Sequence, residues 1–77
     1  MITTSQYLCF NSSNELFNKR IAEFAPKLNL ARICNDNNSE IWLSSELMLK
    51  QKNDLLFISI YNSQDYKLID FVKKVFS

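Results

Sequence analysis

The run Asp54-Leu55-Leu56-Phe57-Ile58-Ser59-Ile60-Tyr61 constrains this chain more than any other stretch. It is almost unbroken in apolar, β-branched and aromatic residues, with Asn53-Asp54 at one end and Asn62-Ser63 at the other. A short apolar run bounded by turn formers is a strand buried on both faces. Alternation puts Leu56, Ile58 and Ile60 on one side and Leu55, Phe57 and Tyr61 on the other. Such a strand belongs near the middle of a sheet, so each of its sides needs cover.

Two amphipathic helices supply cover for one side. Leu16, Phe17, Ile21, Phe24, Ala25 and Leu28 form a stripe at helical spacing, as do Leu68, Ile69, Val72, Val75 and Phe76. Ser12 followed by Glu15 has the spacing of a capping box at the first helix. Pro26, which has no amide proton and restricts Ala25, stops or kinks that helix. Asn62 or Ser63 caps the second, with Asp65 in its first turn and Lys73 and Lys74 near its end.

Three further strands are expected. Residues 2–10 alternate loosely, with Tyr7 and Cys9 opposite Gln6, Leu8 and Phe10. Residues 28–34 form a second strand, followed by the loop Asn35-Asp36-Asn37-Asn38-Ser39. Residues 40–50 are ambiguous, because 45–50 have helix-forming composition. The preferred reading is one strand, with Ile41, Leu43, Leu47 and Leu49 opposite Trp42, Ser44, Glu46 and Met48. Lys50-Gln51-Lys52-Asn53 then forms the hairpin loop into the central strand. The order is β-α-β-β-β-α over a single domain, residues 1–77. The expected fold is an α+β two-layer sandwich: a mostly antiparallel sheet with both helices on one face. A ferredoxin-like arrangement is the alternative.

Composition narrows the chemistry. The chain has no histidine, hence neither the commonest general base nor the commonest metal ligand. It has no glycine, which excludes glycine-rich phosphate loops and leaves Asn and Asp to make the turns with positive φ. Asn11, Asn35, Asp36, Asn37, Asn38, Asn53 and Asn62 stand where such turns are wanted. A net charge of +1 provides no long-range field for phosphate backbones or anionic membranes. Cys9 and Cys34 lack metal or redox spacing and are read as buried free thiols in a reducing cytoplasm, a cross-strand disulfide being the alternative. No signal sequence or membrane span is expected. Asp36 and Glu40 do not match a calcium loop, so no metal and no cofactor is expected.

What remains is surface. With both helices on one face, the other sheet face is open and carries aromatic and sulfur side chains. Trp42, Tyr7, Met48, Phe57, Tyr61, Lys50 and Lys52 are the expected partner-binding residues, Trp42 foremost. The expected role is non-enzymatic binding of another protein. A small stoichiometric inhibitor, antitoxin or immunity-type protein fits, such as a phage- or plasmid-encoded inhibitor of a host nuclease or nucleoprotein defence complex. Stacking of single-stranded RNA or DNA on the aromatics is a second reading, and homodimerisation through the open face a third.

Overall fold

The computed structural model describes residues 5–35, 39–61 and 66–76. The chain runs β1 (Ser5–Asn11), α1 (Asn14–Phe24), β2 (Ala31–Asn35), β3 (Ser39–Leu43), β4 (Leu47–Lys52), β5 (Leu55–Tyr61) and α2 (Tyr66–Phe76). The strands form one sheet in the order β1-β5-β4-β3-β2, antiparallel throughout. Strands β2 to β5 meander back across the sheet, and β1 closes it beside β5. The fold is the expected α+β sandwich, with β5 one strand in from an edge.

The segment expected as one strand over residues 40–50 is two strands, β3 and β4. The cause is Ser44. Its hydroxyl accepts from the amides of Glu46 and Leu47, at 3.2 and 3.0 Å, and its own amide donates to the Leu47 carbonyl. A serine that satisfies two backbone donors offers the chain a turn instead of a ladder. The hairpin loop also moves. Lys50, Gln51 and Lys52 belong to β4, and the turn into β5 is Asn53-Asp54 alone. Both of its residues have positive φ, 51° and 64°, the geometry of a two-residue hairpin turn matched to strand twist.

The core lies between the sheet and both helices. Phe17 and Ile21 of α1, its C-cap Ala25, and Ile69, Val72 and Phe76 of α2 are buried with Leu47, Leu49, Leu56, Ile58 and Ile60 of the sheet. Leu8, Phe10, Leu28, Trp42, Leu68 and Val75 pack against this cluster at its margin. The helices meet where Phe24 and Phe71 stack edge to face, with centroids 5.8 Å apart.

Helix α1 stops beside Pro26, as expected, and the chain then unwinds through a left-handed Asn29 with φ 56°. The Leu30 amide donates to the Ala25 carbonyl and the Asn29 amide to the Pro26 carbonyl, the two bonds of a Schellman motif. Asn does here what glycine usually does.

The cap of α1 is Ser13, one residue later than the capping-box spacing implies. Its hydroxyl accepts from the Leu16 amide at 3.1 Å. Ser12 is buried and otherwise engaged. Its amide donates to the Asp54 carbonyl, and its carbonyl accepts from the Gln51 side chain. Ser13→Ala should therefore destabilise the domain by about 1 kcal/mol. Urea denaturation checks this, and a change near zero would mean the cap contributes nothing. The expected caps of α2 at Asn62, Ser63 and Asp65 lie outside the described residues, as do Asp36, Asn37 and Asn38.

Candidate functional site

Burial on β5 identifies the uncovered face. Leu56, Ile58 and Ile60 are sealed under the helices, while Phe57 and Tyr61 on the other side are 41% and 37% exposed. Register carries this division across the sheet. Tyr7 stands opposite Ser59 and Cys9 opposite Phe57. Met48, Lys50 and Lys52 stand opposite Ser59, Phe57 and Leu55. Leu43, Ile41 and Ser39 follow on β3, then Ala31 and Cys34 on β2. The outer face thus brings together Tyr7, Met48, Phe57 and Tyr61, all expected there, and adds Lys50 and Lys52, which the sequence places in a hairpin loop and the structure in β4.

Trp42 is not among them. It pairs with Leu49, so its indole lies on the helix side and packs against the core margin. Its ring nitrogen donates to Glu40 Oε1 at 2.8 Å, which satisfies the one polar group of this half-buried indole. The expectation that Trp42 leads the outer patch is corrected. The two-residue turn at Ser45-Glu46 reverses the chain so that even-numbered residues of β3 face odd-numbered residues of β4. A continuous strand would have kept Trp42 and Met48 on one side.

The outer face has a shape. Ser59 is only 7% exposed although no helix covers it. It sits between Tyr7 and Met48 across the strands and between Phe57 and Tyr61 along its own. The small Ser59 side chain is thus flanked in register by four large side chains, which form an apolar rim around it. Tyr7 is the most open part of that rim, at 75% exposure. Lys50, beside Phe57, and Lys52 are the only charged residues that the register places on this face between its two edge strands. Sequence reasoning missed Ser59, because a serine inside an apolar run carries no signal until its cross-strand neighbours are known.

The two cysteines are also placed. Cys9 is exposed on β1 and Cys34 half-buried on β2, both free and at opposite edges of the sheet. Four strand spacings separate them, roughly 19 Å. A disulfide needs Cα atoms about 4.4–6.8 Å apart, so this pair forms none within one chain. Cys9 also departs from the expected burial.

A groove between the helices is lined by Arg20, Glu23, Phe24, Phe71, Lys74 and Val75 and opens to solvent. Among the described residues no three His, Cys, Asp or Glu side chains converge as metal ligands. None of the described helices is long and apolar enough to cross a membrane.

The chain matches no protein-family model, no curated protein and no solved structure.

Proposed function

We propose that this protein is a non-enzymatic binding module whose outer sheet face docks another protein and blocks it sterically, as a small stoichiometric inhibitor does. The observation that carries the reading is the cluster of Tyr7, Met48, Phe57 and Tyr61 around Ser59 on the uncovered face, with Tyr7, Phe57 and Tyr61 exposed. Tyrosine and phenylalanine bring large contact area at low entropy cost, and clusters of such residues on an exposed face are typical of binding hot spots. Lys50 and Lys52 at the side of the rim favour a partner that presents carboxylates. A nuclease or nucleoprotein defence complex of a host cell, met in the cytoplasm, is the target class this reading favours.

The same exposed rings beside two lysines also support a second reading, stacking of single-stranded nucleic acid. One experiment separates them. The tagged protein and its Tyr7→Ala/Phe57→Ala variant are used to capture partners from host lysate, with and without nuclease. Protein docking predicts a one-to-one protein complex that survives nuclease and is weakened at least about tenfold in the variant, whose melting temperature stays near that of the parent. Recovery abolished by nuclease would replace it with the nucleic-acid reading. Capture untouched by the variant would refute both.

A further inference from the structure

The two edges of this sheet are treated differently. Edge strands expose unpaired backbone groups, and proteins usually blunt them with charges, prolines or bulges. Strand β2 is blunted: its register shifts between Arg32 and Cys34, and Arg32 brings a charge. Strand β1 has none of these devices. It is seven residues long, Ser-Gln-Tyr-Leu-Cys-Phe-Asn, without a charge, a proline or a break in register.

The ladder shows which groups it presents. At one end of β5 the Ser12 amide donates to the Asp54 carbonyl; at the other the Tyr61 amide donates to the Glu46 carbonyl. Antiparallel ladders bond alternate residues. Even-numbered residues of β5 therefore bond to β1, and odd-numbered ones to β4. Opposite the even set stand Gln6, Leu8 and Phe10, whose backbone groups are consumed inside the sheet. The N–H and C=O groups of Tyr7, Cys9 and Asn11 point outward, and no described strand pairs with them.

We propose that this edge pairs with β1 of a second copy of the chain, antiparallel about a two-fold axis at Cys9, joining two five-stranded sheets into one of ten. Such an axis requires self-complementarity, and β1 has it. Cys9 would bond Cys9 of the second copy, and Tyr7 would bond Asn11, each with outward-pointing groups. On the helix side Leu8 would meet Phe10 of the second copy. Both are only half-buried at present, although they face the core, so pairing would complete their burial. No like charges oppose, because β1 carries none. This interface uses the backbone edge of β1, while the side chains of Tyr7 and Cys9 stay on the adjoining outer face, and it does not depend on what binds there.

The ladder also supplies the test. Proline at position 9 removes only an outward donor and is tolerated on an edge strand. Sedimentation of the wild type at about ten to a hundred micromolar should give twice the one-chain mass of 9.1 kDa. Cys9→Pro should return the mass to one chain with an unchanged circular dichroism spectrum, while Phe57→Ala should keep the dimer. In a Cys34→Ser background, a short bis-maleimide should link Cys9 to Cys9, whose Cα atoms would lie about 5.5 Å apart. That arm holds even if the proline variant fails to fold. A one-chain mass for the wild type would overturn the proposal and leave the edge to an extended segment of another protein. A dimer that persists in Cys9→Pro, or that dissolves in Phe57→Ala, would also overturn it, as would the absence of the cross-link.

Discussion

Phe17→Ala should leave the domain largely unfolded at 37 °C. Phe17 is fully buried, at 0% exposure, on the stripe by which α1 covers the sheet. Truncating a buried phenylalanine removes its transfer free energy and leaves a cavity, together about 3–5 kcal/mol. A core in a chain this small rarely supplies more than about 3–5 kcal/mol, so one substitution can consume it. The neighbouring Leu16 is the control. It is 38% exposed, and Leu16→Ala should cost under about 1 kcal/mol. Urea denaturation followed by circular dichroism measures both. Similar small losses for the two variants would mean that α1 does not present Phe17 to the sheet.

Gln51→Glu should destabilise the domain by about 3 kcal/mol or more at neutral pH. Gln51 is 2% exposed on the helix side of β4, where its Nε2 donates to the Ser12 carbonyl. Its Oε1 is buried with no hydrogen-bond partner in the described structure. Together with the bond from the Ser12 amide to the Asp54 carbonyl, the Nε2 bond ties the β1–α1 junction to the β4–β5 hairpin. A carboxylate cannot donate to Ser12, and its charge would have no partner there. When protonated it can donate, so burial raises the folded-state pKa of the introduced group above its unfolded value of about 4.3. The sign follows: the folded state holds the proton more tightly, so the loss is smallest below about pH 4.3 and grows as pH rises through the folded-state pKa. Denaturation midpoints of the variant and the wild type at several pH values should diverge as pH rises. A gap that is constant with pH would show that the carboxyl group stays in water. Gln51→Leu, similar in volume but without the donor, should lie between the two.

Much of the fold is legible residue by residue. The strand around Ile58 follows from its apolar run, although only its Leu56, Ile58 and Ile60 side is covered and not both sides as expected, and the helix faces at Phe17, Ile21, Ile69 and Val72 follow from a period of 3.6. The stop at Pro26 and the turn at Asn53 follow from backbone stereochemistry. Each of these features depends on neighbours within a few positions. Ser44 was harder to read, because serine is compatible with a strand until its hydroxyl is seen closing a turn. Ser12 and Ser13 could both cap α1, and only the tether to Asp54 and Gln51 decides between them.

The outer patch divides the same way. Alternation makes Tyr7, Met48, Phe57 and Tyr61 candidates for an open face, but which way each strand faces is settled only by the register across the sheet. Trp42 was misplaced because one unrecognised turn reverses the parity of everything before it relative to everything after. By itself, then, the sequence determines the elements, their apolar faces and the absence of glycine- and histidine-dependent chemistry, since these depend on local sterics and residue type. The tertiary structure alone decides which face Trp42 joins, that Ser59 is ringed by large neighbours, that Gln51 is buried, and that β1 is left as an unblunted edge. Each of those depends on cross-strand register, which pairs residues far apart in the chain and is set only when the sheet closes around its core.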